Sequence, residues 1–124
     1  NELYLEANKN LLIQALINIY NNALDALKIK SIEEKKLLFV SLNKKDSKIV
    51  IRIKDNAGGI PSEFIEKVFE PYFTTKHQSQ GTGIGLYMTH QIINKQLHGT
   101  ISVANSTYKY EDKEYIGAEF IITL

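Results

Sequence analysis

A strand-like run that ends on a carboxylate, with two adjacent glycines close behind, constrains this chain most. Isoleucine occupies every second position from Ile49 to Ile53, which predicts a strand with one buried face. Asp55 ends the run, and Gly58 and Gly59 follow. Glycine lets a backbone pass close to a ligand because it has no Cβ. The pattern therefore places a carboxylate beside an open backbone, although a plain turn uses the same residues.

Further strand-like runs accompany this one. Lys36–Asn43 precedes it, and a turn over Lys44–Ser47 with Asp46 as the turn residue would pair the two runs as antiparallel strands. The second run is apolar on one face and mixed on the other, as expected of a sheet that helices cover on one side. Two closing strands and an exposed loop between them are predicted at Gly99–Asn105, Tyr115–Leu124 and Ser106–Glu114, respectively.

The first long helix is predicted from Lys9 to Lys28, after Asn8 as its N-cap. Its apolar residues recur at helical spacing and form one buried face. Asn18, Asn22 and Asp25 share a second face, at relative positions i, i+4 and i+7. Asparagine and aspartate are poor residues inside a helix. The stripe is therefore either a polar surface or a row of short oxygen ligands that faces a pocket.

Between the two glycine-containing segments lie a proline-led run, an aromatic run and a polar run. Pro61–Val68 is predicted as a short helix, because proline favours the first helical turn. Phe69–Phe73 contains three aromatic rings that need burial, and the polar run Thr74–Gln80 has no periodicity. This composition is typical of a mobile lid between hydrophobic hinges, although an ordinary surface loop would also explain it.

Glycine occupies every second position from Gly81 to Gly85, directly before a helix predicted over Leu86–Leu97. Such a loop offers free amides and the positive end of a helix dipole to a phosphate. The spacing excludes the P-loop pattern, and it disfavours the glycine loops of Rossmann domains and protein kinases. Together with Asp55, the loop predicts a nucleotide pocket that is split across the chain.

Composition and the order of elements define the class of protein. The 124 residues suit a single domain, and the net charge of +1 with no cysteine gives no sign of nucleic-acid binding, a disulfide framework or a thiolate metal site. No apolar run reaches the length of a membrane span. A short strand at Leu3–Ala7 completes an α+β fold, a two-layer sandwich with helices on one face of a mostly antiparallel sheet.

Four segments in order carry a family resemblance: Asn18–Ala23, Asp55–Ile60, Phe69–Phe73 and Gly81–Leu86. They resemble the N box, first glycine box, F box and second glycine box of the catalytic, ATP-binding domain of bacterial sensor histidine kinases. That domain belongs to the superfamily of gyrase, Hsp90, histidine kinases and MutL. The resemblance implies the Bergerat fold with an ATP lid, for one domain over residues 1–124 that is cut from a longer protein without its dimerisation domain.

The resemblance also implies that ATP and Mg²⁺ are the cofactors. Asn22 matches the asparagine that coordinates the Mg²⁺ bridging the phosphates, and Asp55 matches the aspartate that accepts a hydrogen bond from the adenine amino group. Lys76, in the lid, could reach the phosphates, so Asn22 and Lys76 are the candidate catalytic residues. The full set implied for nucleotide binding is Asn18, Asn22, Asp55, Gly59, Ile60, Phe69, Phe73, Thr74, Thr75, Lys76, Gly81, Thr82, Gly83, Ile84, Gly85 and Leu86.

The activity that the resemblance implies is transfer of the ATP γ-phosphate to a histidine on a separate dimerisation domain, with a response regulator downstream. The expected location is the cytoplasm, either as a free protein or as the cytoplasmic part of a membrane-bound sensor. No contact with nucleic acid or membrane is expected. Because the histidine that accepts the phosphate lies outside this chain, we expect the chain alone to bind Mg-ATP without phosphorylating itself.

Other functions stay open at this point. One alternative is another kinase of the superfamily, such as a mitochondrial-type protein kinase or an anti-sigma serine kinase. A second is a non-catalytic module that binds nucleotide or a partner. A gyrase- or MutL-type ATPase needs a glutamate where this chain has Asn18, which disfavours that reading.

Two positions depart from the family pattern. Ala57 replaces the first glycine of the first glycine box, so its φ should be negative to avoid a steric cost. Asp25 stands where many members of the family carry a basic residue, and a carboxylate there would be repelled by phosphate.

Overall fold

The computed structural model describes residues 8–30, 33–73 and 84–124. Helix α1 spans Lys9–Leu27, and helix α2 spans Gly85–Gln91 and continues as a wider π-type turn over Ile92–Gln96. A short 3-10 turn covers Ile65–Lys67. The strands are β1 at Leu38–Lys45, β2 at Lys48–Asp55, β3 at Thr100–Tyr110 and β4 at Lys113–Thr123.

The four strands form one antiparallel sheet in the order β1-β2-β4-β3. The register aligns Ile53 with Phe120, and Phe120 with Val103, so these residues point to the same face. Both helices contribute residues to the core on that face. The α+β class, with helices on one side of the sheet, is confirmed.

The core lies between α1, the π-type turn and the two central strands. Ala15 and Ile19 from α1, Ile93 from the turn after α2 and Ile122 from β4 are all completely buried. Phe120 is the largest of the fully buried side chains. Burial of each isoleucine or phenylalanine side chain contributes roughly 1.5–3 kcal/mol, so this layer stabilises the sheet and helices that hold the site.

Helix α1 begins where the sequence predicts. The Asn8 side chain accepts hydrogen bonds from the backbone N–H groups of Asn10 and Leu11, at 3.0 and 3.2 Å. This cap satisfies N–H groups that have no partner within the helix. Among the described residues, no helix is both long enough and apolar enough to cross a membrane.

The β3–β4 hairpin is longer than the sequence predicts. The expected loop over Ser106–Glu114 is wrong, because both strands continue to a two-residue turn at Glu111 and Asp112. These two residues have φ of 51° and 65°, the left-handed values of a type I′ turn. The rings of Tyr108 and Tyr115 lie opposite each other at 6.1 Å, so aromatic pairing extends the ladder through the polar sequence.

The short helix expected over Pro61–Val68 is also mostly absent. Backbone hydrogen bonds join each third residue, from Phe64 to Pro61 and from Lys67 to Phe64. This winding is tighter than an α-helix, and only Ile65–Lys67 forms a regular 3-10 turn. The tight turns bring Phe64 within 5.4 Å of the Phe73 ring.

Candidate functional site

Asp55 ends β2 on the same face as Ile53, and its side chain is 4% exposed. Its Oδ1 atom accepts hydrogen bonds from the backbone N–H groups of Ala57 and Ala118, at 3.0 and 3.1 Å. Its Oδ2 atom accepts none from the described residues. No buried polar side-chain atom in this part of the chain lacks a partner, so Oδ2 must reach solvent. A carboxylate oxygen is thereby left available to a donor that enters from outside.

Burial raises the pKa of the Asp55 carboxyl group above its ordinary value. The N–H groups of Ala57 and Ala118 and the charge of Lys30 oppose that shift, because they stabilise the carboxylate. The protein thus holds an acidic group in a partly desolvated place and compensates only one of its two oxygens.

Gly58 and Gly59 follow Asp55 with φ of +99° and +84°. Ala57 does not have a positive φ, so its Cβ causes no backbone strain at the position where the family carries glycine. The Gly58 N–H donates to the Ile116 carbonyl oxygen at 2.9 Å, which ties the loop to β4. A Cβ on Gly59 would lie 2.7 Å from Oδ1 of Asn105, so glycine is required there by space as well as by φ.

The side-chain amide of Asn105, in β3, holds the next residue of the loop. Its Oδ1 accepts from the Ile60 N–H and its Nδ2 donates to the Ile60 carbonyl oxygen, both at 2.7 Å. Ile60 also packs against the hydrophobic core. The loop from Asp55 to Ile60 is therefore fixed at both ends by the β3–β4 hairpin.

The side chain of Asn56 anchors the start of the same loop to the segment that precedes β1. It is 1% exposed, its Nδ2 donates to the Lys35 carbonyl oxygen at 2.8 Å, and its Oδ1 accepts from the Leu37 N–H at 2.9 Å. The amide thus joins the end of β2 to the segment that leads into β1. A buried amide without these partners would be costly, so Asn56 has a structural role.

The polar face of α1 meets the start of α2. The Asn18 Nδ2 donates to the Gly85 carbonyl oxygen at 3.3 Å, and Asn18 Oδ1 accepts from Gln14 at 3.0 Å. Asn22 lies one turn further along this face, half-buried, and its side chain makes no hydrogen bond to another described residue. Asp25 lies 3.8 Å from the Lys28 ammonium group. The structure thus joins the first predicted segment to the last.

Phe69 connects α2 with the sheet. Its ring centroid lies 5.3 Å from that of His90 in α2 and 6.2 Å from that of Phe120 in β4. Phe73 packs against Phe64 instead. Both aromatic hinges predicted from the sequence therefore find apolar partners, and Leu86 packs against the core as well.

Several predicted site residues lie outside the described residues. These are the lid residues Thr74, Thr75 and Lys76 and the loop residues Gly81, Thr82 and Gly83. The predicted mobility of Thr74–Gln80 falls in the same stretch.

The sequence did not point to three residues that build the site. Asn105 carries a detectable signal, because it takes the next alternate position after Ile101 and Val103 and has a polar side chain instead of an apolar one. Gly117 is buried against Asp55, and Tyr108 donates to the Asp55 carbonyl oxygen. Tyr108 fell in the segment predicted as a loop, and Gly117 in a predicted strand whose neighbours in the sheet the sequence did not assign.

Several known proteins are similar to this chain in sequence and in fold. Residues 7–124 match the family described as histidine kinase-, DNA gyrase B-, and HSP90-like ATPase. The sensor histidine kinase ZraS of Escherichia coli O157:H7 is 36% identical over 101 residues, which cover 82% of this chain and 20% of ZraS. The signal transduction histidine-protein kinase AtoS of Escherichia coli K12 is 39% identical over 101 residues, which cover 82% of this chain and 16% of AtoS.

A solved structure of similar fold also comes from a histidine kinase. The catalytic domain of histidine kinase ThkA, in a nucleotide-free form, superposes with a TM-score of 0.70 at 30% identity, covering 95% of this chain and 68% of that chain. The chain spans about a fifth of the length of the curated relatives it matches. It belongs to the histidine kinase-, DNA gyrase B-, and HSP90-like ATPase family, as a catalytic domain of the histidine kinase type.

Proposed function

We propose that this chain binds Mg-ATP and donates its γ-phosphate to a histidine on a separate dimerisation domain, in a two-component signalling pathway. Residues 1–124 would form the catalytic domain of a longer kinase. The observation that carries the proposal is the Asp55 carboxylate, whose Oδ1 accepts two backbone hydrogen bonds while Oδ2 reaches solvent. The two glycines with positive φ follow it closely in the chain.

Adenine fits this arrangement better than guanine. The exocyclic amino group of adenine donates a hydrogen bond, and an ionised carboxylate is a pure acceptor. Guanine presents the O6 acceptor at the same position, so two acceptors would face each other. Gly58 and Gly59 carry no Cβ, so no side chain obstructs a ring that would lie against the loop.

Mg²⁺ fits the polar face of α1 only together with phosphate. Among the described residues no three His, Cys, Asp or Glu side chains cluster as a metal site. Mg²⁺ commonly uses one or two protein oxygens and completes its shell with phosphate and water. The Asn22 amide, half-buried and without a described hydrogen-bond partner, can supply one such oxygen. Asn18, anchored to Gly85, would line the phosphate side of the same pocket.

The proposed chemistry depends on positioning and charge neutralisation. A bound Mg²⁺ would neutralise charge on the transferring phosphoryl group, and the histidine on the partner domain would be the nucleophile. Lys76, in the lid, is the candidate for a further positive charge near the phosphates. The phosphorylated partner domain would then pass the group to a response regulator.

Phosphate transfer tests the proposal directly. The chain is incubated with radiolabelled ATP and Mg²⁺, alone and with the histidine-bearing dimerisation domain that belongs to it. We expect acid-labile label on the dimerisation domain and none on the chain alone. Label on the isolated chain, or ATP binding without any transfer, would contradict the proposal, and the second outcome would favour a non-catalytic binding module.

A metal titration tests the role of Asn22. Asn22→Ala should lower the dependence of ATP affinity on Mg²⁺ and leave the affinity for metal-free ATP nearly unchanged. The matched control is Asn21→Ala, which removes an exposed amide from the neighbouring position of α1. If ATP affinity depends equally on Mg²⁺ in both variants, Asn22 is not a ligand of the metal.

A further inference from the structure

We propose that Asn105 is a positioning residue that sets the affinity of the site for the adenine ring, separately from its affinity for phosphate. The inference rests on the proposed function. It concerns a residue on β3 that does not belong to any of the four predicted boxes. Asn105 binds the pocket loop through two hydrogen bonds to Ile60, and its side chain also lies close to Gly59.

The contact between Asn105 and Ile60 copies a strand pairing. A backbone N–H and C=O from one residue are both engaged by a single amide group, at 2.7 Å each. A neighbouring strand makes the same pair of bonds with its own backbone. The register between β3 and β4 fixes Asn105 opposite Ala118, whose N–H donates to Asp55 Oδ1. One rung of the ladder therefore positions both Asp55 and Ile60.

The loop needs this restraint because its two glycines allow the backbone many conformations. Gly58 and Gly59 both adopt positive φ, and glycine has the largest freedom to leave such a conformation. The Gly58 N–H is held by Ile116, and Ile60 is held by Asn105. Without Asn105, the Ile60 end of the loop would exchange two hydrogen bonds of 2.7 Å for hydrogen bonds to water, and the distance between Asp55 and the loop would vary.

Loss of this restraint should affect one part of the ligand only. The adenine ring would lie between the Asp55 carboxylate and the Gly59–Ile60 backbone, so its affinity depends on the spacing of those groups. The phosphates would instead lie near Asn18 and Asn22 on α1, which Asn105 does not contact. A merely structural role for Asn105 would weaken both parts together.

The experiment compares two ligands on four proteins. Binding of a non-hydrolysable ATP analogue and of inorganic tripolyphosphate, each with Mg²⁺, is measured for the wild-type protein and for Asn105→Ala, Asn105→Asp and Asn43→Ala. Asn105→Asp keeps the shape and the acceptor but cannot donate to the Ile60 carbonyl oxygen when ionised. Asn43→Ala removes an exposed amide from β1, where Asn43 pairs with Val50, far from Asp55 along the ladder.

We expect both Asn105 variants to bind the ATP analogue about tenfold more weakly than the wild-type protein, which corresponds to the loss of one or two hydrogen bonds. Their affinity for tripolyphosphate should stay within about twofold, and Asn43→Ala should match the wild-type protein with both ligands. Thermal unfolding of each unliganded variant shows whether the fold is retained.

Two results would overturn the inference while leaving the proposed function intact. One is wild-type affinity for the ATP analogue in Asn105→Ala. The other is a parallel loss of affinity for both ligands, which would mean that Asn105 only stabilises the fold. Failure of the folded wild-type protein to bind the ATP analogue would overturn the proposed function itself, and this inference with it.

Discussion

The phenol oxygen of Tyr108 lies 2.6 Å from the backbone carbonyl oxygen of Asp55 and donates a hydrogen bond to it. Burial, with the nearby Asp55 charge, raises the pKa of Tyr108 to about 12, so the phenol stays protonated at neutral pH. The Lys54 ammonium group lies 4.0 Å from the centre of the same ring. The extended hairpin thus reaches across to the residue on which the proposed adenine recognition depends.

Replacement of Tyr108 by phenylalanine should test this link. Tyr108→Phe removes the hydrogen bond and keeps the ring, so we expect the free energy of unfolding to fall by about 1 kcal/mol. Urea titration at neutral pH measures the change. Tyr115→Phe is the matched control, because the neighbouring ring is half-buried and its hydroxyl makes no hydrogen bond within the described residues. Equal losses in the two variants would contradict a specific role for the Tyr108 hydroxyl.

Gly117 should tolerate no side chain. A Cβ at this position would lie 1.7 Å from the Asp55 carbonyl oxygen, which is backbone and cannot move aside. We expect Gly117→Ala to lower the free energy of unfolding by about 3 kcal/mol or more, at the upper end of overpacking effects. Chemical denaturation gives the value.

Gly85→Ala is the control for this prediction of stability. A Cβ on Gly85 meets nothing within 4 Å, and the residue begins α2. The variant should be at least as stable as the wild-type protein, because alanine favours helix by up to about 1 kcal/mol over glycine. Similar losses in both variants would show that the backbone near Gly117 is not as tightly packed as the structure indicates.

The raised pKa of Asp55 predicts the sign of a pH effect. A folded-state pKa above the unfolded value means that the folded protein binds the proton more tightly. The Asp55 contribution to stability is therefore most favourable below the unfolded pKa and declines as the pH rises through the folded pKa. Asp55→Asn keeps an acceptor at the Oδ1 position and removes the buried charge.

We expect Asp55→Asn to be at least as stable as the wild-type protein at pH 7, with a difference that shrinks under acid conditions. Urea titrations at several pH values measure both proteins, with Glu63→Gln as the control for an exposed carboxyl. A variant that is less stable than wild type at pH 7 would mean that the carboxylate stabilises the fold, against the burial argument.

The two hairpin turns predict a pair of stabilising substitutions. Ser47 and Asp112 occupy equivalent second positions of two-residue turns, with φ of 67° and 65°. Glycine adopts such values without steric cost, and aspartate tolerates them better than serine. Ser47→Gly should therefore raise the free energy of unfolding by roughly 1 kcal/mol, and Asp112→Gly by less. The opposite order in thermal unfolding would contradict the comparison.

The sequence predicted the parts of the fold that depend on simple periodicity. Apolar spacing located α1, and the alternation from Ile49 to Ile53 located β2 and its buried face. Periodicity failed at Ser106–Glu114, because tyrosine rings rather than alternating apolar residues stabilise the strands there. The Tyr108 ring contacts the rings of Tyr115 on β4 and Phe39 on β1. Such contacts depend on which strands are neighbours, and that is a property of the complete fold.

The sequence pointed to residues proposed to contact the nucleotide, but not to the residues that hold those groups in place. Asp55 and Asn18 were singled out by residue type and spacing, and the family resemblance supplied the roles predicted for them. Gly117 is brought to Asp55, and Asn105 to Ile60 in the loop that follows, by a sheet order in which β4, the last strand, lies beside β2. No local pattern encodes that approach, because the residues are separated by about half the chain.

Calorimetry with two nucleotides measures whether the Asp55 pocket selects adenine over guanine. The protein is titrated calorimetrically with non-hydrolysable analogues of ATP and of GTP in the presence of Mg²⁺, and Asp55→Asn is titrated in parallel. We expect saturable binding of the ATP analogue, much weaker binding of the GTP analogue, and loss of that preference in Asp55→Asn. Absence of binding by the folded wild-type protein, or an unchanged preference in Asp55→Asn, would contradict this expectation.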